Sequence, residues 1–196
     1  WIANADGSFA VRTFRPWVGY AIPNGEWLVG DLNNDRRADI VHVVAGRDAV
    51  HAWVARADAT FDVRPLFKPR PDYLFPTGRW FMGDVNGDRF ADLVHVIQGT
   101  GQHNTWLSRG NGNFSVEEYR AAAHLRYPEG RWLTGDVNGD GLMDLMQPRA
   151  GRLYVWTARG GNFNPPLYTP PTTLTSVAPC CATTLSVSAS PPVPAT

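Results

Sequence analysis

The chain repeats itself, and the repeat limits what it can fold into more than any other feature. Gly-Asp-Leu-Asn-Asn-Asp at 30–35, Gly-Asp-Val-Asn-Gly-Asp at 83–88 and the same six residues at 135–140 mark three copies. Each is preceded by Gly-x-Trp (Gly25 and Trp27, Gly78 and Trp80, Gly130 and Trp132). A second tryptophan series stands at Trp1, Trp53, Trp106 and Trp156, with intervals of 52, 53 and 50. After each of these comes a small polar or glycine-rich stretch and then Phe9, Phe61, Phe114 or Phe163. A unit of about 52 residues therefore recurs at 1–52, 53–105 and 106–155, and 156–164 begins a fourth.

Within a unit the pattern is that of β-strands. Asp39 to Val44 and Asp92 to Ile97 are short β-branched runs, and Phe9/Val11, Phe61/Val63 and Phe114/Val116 alternate with period two. Turn residues separate them, as at Asn4 to Gly7 and Gly110 to Gly112. The one weak helical stripe, Val116 to Leu125, has proline-containing equivalents in the other copies. The expectation is an all-β chain of propeller-type blades, with about four short strands in each. Propellers close with about 4 to 8 blades. Three and a fragment imply an incomplete propeller, or one that copies of the chain complete by self-association; an open stack would need capping ends.

Charge divides the chain. All 18 basic and 18 acidic residues lie in 1–164, while 165–196 carries none and holds eight of the sixteen prolines. A balanced charge argues against a nucleic-acid partner, and no run approaches the roughly 18 apolar residues of a membrane span. The Pro/Thr/Ser-rich segment 165–196 reads as a disordered tail or linker. Its adjacent Cys180 and Cys181 cannot staple distant segments. The start at Trp1, without a charged and apolar leader, fits a processed chain or a piece of a longer one.

Half of the acidic residues sit in three nine-residue segments spaced Asp-x-Asn-x-Asp-x-x-x-Asp: Asp31, Asn33, Asp35, Asp39; Asp84, Asn86, Asp88, Asp92; Asp136, Asn138, Asp140, Asp144. Carboxylates so close repel unless a cation joins them, and an all-oxygen donor set suits Ca²⁺ with its 6 to 8 ligands better than Mg²⁺ or Zn²⁺. An EF-hand needs a glutamate at position 12, where this chain has His42, His95 and Gln147. In the shorter loop, position 9 supplies the closing carboxylate, and the carbonyl of position 7 (Arg37, Phe90, Leu142) completes the shell with water. Up to three Ca²⁺ ions are expected.

At these residues the chain resembles the FG-GAP/VCBS repeat family of calcium-binding propeller blades, which includes the integrin α-subunit propeller and propeller lectins. Asp136 to Asp144 matches the family loop at every ligand position and both glycines. The others depart from it, with Arg36 and Arg89 at position 6 and Asn34 at position 4. Arginine there is strained if φ is positive. The resemblance implies an extracellular or secreted calcium-binding module for binding or adhesion, lectin-like, with carbohydrate or a cell-surface protein as partner. The alternative is a non-catalytic propeller module of a larger secreted enzyme or toxin.

No Ser-His-Asp constellation, phosphate loop or isolated carboxylate pair points to an enzyme. His42 and His95, replaced by Gln147 in the third copy, read as packing residues, as do the phase-locked tryptophans. Aromatics outside the repeat pattern, Trp17, Tyr20, Tyr73, Phe75 and Tyr127, precede Gly-x-Trp in Pro-containing loops and are the candidates for a ligand-binding rim.

Overall fold

A computed structural model describes residues 2–3, 5–11, 13–16, 21, 23–44, 46–120 and 129–164. Every regular element in them is a strand. The first sheet is an antiparallel meander of β3 (Gly25–Gly30), β4 (Asp39–Val44), β5 (Ala49–Ala55) and β6 (Phe61–Val63), paired in chain order. The second repeats it with β7 (Arg79–Gly83), β8 (Asp92–Ile97), β9 (Gln102–Ser108) and β10 (Phe114–Arg120). The third has β11 (Leu133–Gly135), β12 (Asp144–Arg149) and β13 (Arg152–Trp156), followed by a small hairpin of β14 (Ala158–Arg159) and β15 (Asn162–Phe163). Another short hairpin, β1 (Ile2–Ala3) with β2 (Phe9–Ala10), comes first.

These are propeller-type blades, but the sheets are out of phase with the repeat as counted from the tryptophans. The boundaries at 52/53, 105/106 and 155/156 fall inside β5, β9 and β13. Trp156, the first residue of the segment expected to open a fourth copy, pairs with Leu145 in β12, while β14 and β15 of that segment pair only with each other. Periodicity carries no phase; hydrogen bonding decides which strands share a sheet.

Alternation along the strands packs the blades in a row. In β4, Val41 and Val43 point to one side and join Trp80, Leu93, Trp106 and Phe114 of the second blade in one buried cluster, together with Leu32. Val94 and Val96 of β8 do the same against Trp132, Leu145, Trp156 and Phe163 of the third. The central strand β8 thus packs on both faces, Leu93 toward the first blade and Val94 and Val96 toward the third.

Within a blade, Trp27 lies flat on its cross-strand neighbour His42 (centroids 4.0 Å apart), and Trp80 on His95 (4.1 Å). The approach is so close that a Cβ on Gly78 would fall 2.4 Å from the Val96 carbonyl and 2.5 Å from His95 Nε2. That contact explains the glycine of Gly-x-Trp in the second copy, and Gly25 meets the same obstacle in the first.

Candidate functional site

The three acidic loops join the first strand of each sheet to the second and share one architecture. The position-1 carboxylate gathers the loop's own amides: Asp84 accepts from the N–H groups of Asn86, Gly87 and Arg89, and Asp136 from those of Gly139, Asp140 and Gly141. Those bonds, led by the Gly141 amide, hold the Asp136 carboxyl below the ordinary aspartate value. The position-3 asparagine closes an Asx turn on the amide of position 5 in all three loops. So tight a turn requires left-handed backbone. Positions 4 and 6 have positive φ at Asn34 (58°), Arg36 (66°), Gly87 (88°), Arg89 (70°), Gly139 (80°) and Gly141 (86°). The strain anticipated at Arg36 and Arg89 is therefore real.

Position 9 does a different job. Asp39, Asp92 and Asp144 have no solvent exposure, and each ties its loop to the third strand of the sheet or the residues just after it. Asp92 accepts the Val85 and Ser108 amides on its two oxygens; Asp39 takes Leu32 and Ala55, and Asp144 takes Val137 and Ala158. Burial pushes the Asp92 carboxyl up to about 7 against the pull of these amides, and Asp88 and Asp84 push the same way. Asp39 is shifted upward for the same leading reason.

The second loop has the geometry an ion needs. One carboxylate oxygen each from Asp84, Asp88 and Asp92 lie within 4.8 Å of one another, the span one ion covers with oxygen ligands at about 2.3–2.6 Å. A divalent cation there would offset the repulsion among the three carboxylates. Among the described residues no other three acidic, histidine or cysteine side chains converge in this way. In the first loop the Arg37 guanidinium pairs with Asp35 and donates to the Ala55 carbonyl (3.1 Å), so an arginine already faces one of the carboxylates. The third loop, which fits the family pattern best in sequence, leaves Asp136 and Asp140 more exposed than their counterparts Asp31 and Asp35.

Of the five aromatics expected at a ligand rim, the structure describes two, Tyr73 and Phe75. Tyr73 is only 3% exposed: its ring packs edge-on to Trp106, and its hydroxyl accepts from Asn104 Nδ2. Phe75 is half-buried against Trp80 and Trp106. Both fill the wedge beside the second blade, because an aromatic in the connecting loop gains more from that apolar gap than from water. Trp17, Tyr20, Tyr127, Trp1, Cys180 and Cys181 lie outside the described residues. His42 and His95 are fully buried beneath their tryptophans, and burial drives the His95 imidazole down to about 4, so it is neutral at physiological pH.

An open cavity of about 550 Å³ was not anticipated. Glu26, Arg79, Trp80, Phe81, Gln98, Glu129, Arg131 and Trp132 line it. Glu26, Arg79 and Arg131 are the middle residues of the three Gly-x-Trp motifs, so the motif at the start of each blade contributes one charged side chain to one place. Burial raises the Glu26 carboxyl above its ordinary value, while Arg79 partly offsets the rise. The signal was present as a charge at constant phase beside each invariant tryptophan.

Residues 84–146 match the model of the FG-GAP-like repeat. The match begins at the first ligand position of the second loop and ends just past the closing aspartate of the third. Among solved structures 22 chains match. One is a lectin of Agrocybe aegerita, described for its specific recognition of non-reducing terminal N-acetylglucosamine. It aligns with a TM-score of 0.57 at 20% identity over 76% of this chain, and this chain spans 39% of that one. No curated protein matches in sequence. The chain is thus an all-β protein of propeller-type blades. It carries an FG-GAP-like repeat across its second and third acidic loops.

Proposed function

We propose that this chain is a calcium-stabilised propeller module that binds carbohydrate in an extracellular setting, and that it acts as a binding module rather than an enzyme. The observation that carries the reading is the cavity at the Gly-x-Trp motifs. Phe81 and the accessible margins of the largely buried Trp80 and Trp132 give the cavity an apolar side for a sugar ring, and Glu26, Arg79, Gln98, Glu129 and Arg131 offer charged and amide groups for its hydroxyls. The likeness to a lectin supports a sugar as the ligand class. Calcium's part is structural: bound by Asp84, Asn86, Asp88 and Asp92, it would neutralise the loop and brace one blade against the next.

Two measurements test the two halves separately. Calorimetric titration with Ca²⁺ should show binding, and a chelator should lower the melting temperature. Stabilisation grows by about 2.7 kcal/mol at a free ion concentration of a hundred times Kd. An unchanged melting curve would sink the metal assignment. A glycan array at saturating calcium should show sugar binding that Arg131→Ala weakens at least tenfold; binding untouched by that change would move the site elsewhere.

A further inference from the structure

Three Asn-Gly pairs stand in turns of the same kind, and one of them differs from the other two in its hydrogen bonds. Asn86–Gly87 and Asn138–Gly139 lie in the second and third acidic loops, and Asn111–Gly112 lies at the tip of the β9–β10 hairpin. In each the asparagine Oδ1 accepts from the amide two residues on, at Asp88 (2.9 Å), Asp140 (3.1 Å) and Asn113 (3.0 Å). In each the glycine has positive φ, 88°, 80° and 84° respectively. A fourth pair, Asn24–Gly25, runs directly into β3 and is no such turn.

A turn of this form keeps the side-chain carbonyl carbon close to the following backbone nitrogen, and a bond between those two atoms closes a five-membered imide. Two groups control that reaction: the glycine N–H, which must give up its proton to attack, and Nδ2, which must leave. Both are tied in the acidic loops. Gly87 donates to Asp84 Oδ1 and Gly139 to Asp136 Oδ1, each at 2.7 Å. Asn86 Nδ2 donates to Asp88 Oδ2 (2.9 Å) and Asn138 Nδ2 to Asp140 Oδ2 (2.8 Å). A nitrogen whose proton is held by a carboxylate cannot lose it without setting two negative charges side by side. At the hairpin tip neither restraint exists: among the described residues no acceptor meets the Gly112 amide or Asn111 Nδ2. Exposure does not make the difference, since Asn138 and Asn111 are both exposed.

We propose that Asn111 is a site of self-modification, where the chain deamidates through a cyclic imide. The Gly112 nitrogen gives up its proton and bonds to Asn111 Cγ; the Cγ–Nδ2 bond breaks, and Nδ2 takes a proton and leaves as ammonia. Water then opens the ring at either carbonyl, leaving aspartate or its β-linked isomer, isoaspartate. The two products fit the turn differently. Aspartate already stands at this place in other hairpins, where Asp58 accepts from the amide and hydroxyl of Thr60, and Asp6 from those of Ser8. Isoaspartate adds a carbon to the backbone where there is little room. A Cβ on Gly112 would lie 2.6 Å from Arg64 Cγ and 3.3 Å from Ala52 Cβ, on the side of the first blade. One on Gly110 would lie 3.2 Å from the ring of Phe90, at position 7 of the second acidic loop. The site thus couples slow, one-way chemistry to the junction of the first two blades, independently of the sugar and calcium assignments.

The test is peptide mapping by mass spectrometry of the whole chain, held folded for days at mildly alkaline pH with a chelator present so that no metal protects the loops. Asn111 should lose its amide about ten- to a hundredfold faster than Asn86 and Asn138, the rate equivalent of a hydrogen bond to a charged group. Enzymatic methylation should detect isoaspartate in the same peptide. In guanidinium the three rates should converge, because the three dipeptides are then alike. Asn111→Gln should remove the fast release of ammonia. Folded protein in which Asn86 or Asn138 reacts as fast as Asn111 overturns the proposal. So does an Asn111 that stays intact while the denatured chain reacts, or ammonia release undiminished in Asn111→Gln.

Discussion

The second and third blades share a sequence pattern but not a set of neighbours. Contacts made inside a blade are alike in both: Asp92 and Asp144 are each fully buried and each take two backbone amides from equivalent positions. Contacts made between blades are not: Val85 is sealed beneath the third blade, while Val137 lies bare. The residue types at the two positions are identical, so exposure there reports on what stands alongside rather than on the local sequence.

That comparison can be broken most severely at the aspartates. Asp92→Ala and Asp144→Ala should cost the same, about 2–6 kcal/mol in chemical denaturation, because each leaves two backbone donors without their acceptor. A much smaller cost at Asp144 would mean that the third blade is not built like the second. Next come the residues at loop position 2. Leu32→Ala should cost about 2–5 kcal/mol, whereas Val137→Ala in dilute solution should stay within about 0.5 kcal/mol. Equal losses would show that Val137 is covered.

Histidine and glutamine give a third contrast, in pH. His95 titrates at about 4 in the folded chain and near 6.5 when unfolded, so between those values the unfolded state binds more protons. Its contribution is intact above about 6.5 and is lost as pH falls toward 4, a span worth on the order of 3 kcal/mol. His103, also driven down to about 4 by burial, acts in the same sense. His95→Gln, which copies the third blade's buried Gln147, should flatten the acid loss relative to wild type. Comparing the two proteins separates the histidine from Asp92. The raised pKa of that carboxyl makes metal-free protein gain stability as pH falls below about 7. Parallel stability curves would exclude the histidine as the source.

The smallest effect is at loop position 6. Arg89 sits at φ 70° where the third loop has Gly141. Arg89→Gly should stabilise the second blade by up to about 1 kcal/mol as strain relief exceeds the added freedom of the unfolded chain, and Gly141→Arg should do the reverse. A destabilised Arg89→Gly would show that the arginine side chain contributes more than its backbone costs.

Much of the architecture was legible in the residues. The repeat implied blades, the β-branched runs at 39–44 and 92–97 are β4 and β8, and the departure from glycine at Arg36 and Arg89 anticipated backbone strain that the φ values display. The acidic spacing also singled out the residues that converge in the second loop. Tyr73 misled because exposure was inferred from loop membership, whereas the wedge beside Trp106 is apolar and takes the ring. The cavity of Glu26, Arg79 and Arg131 went unseen because those residues lie about 52 residues apart and meet only when the Gly-x-Trp motifs of successive blades come side by side.

Sequence alone determined the unit: its strands, its tight acidic turns and the alternation that makes each sheet apolar on both faces. Those properties rest on local backbone preferences and short-range periodicity, which each copy carries in full. Tertiary structure decided where a sheet begins within the repeat, which loop draws its three carboxylates together, and which of Leu32, Val85 and Val137 are buried by a neighbouring blade. Each of these depends on contacts between residues far apart in the chain. A pattern that is the same in every copy cannot by itself say what packs against each one.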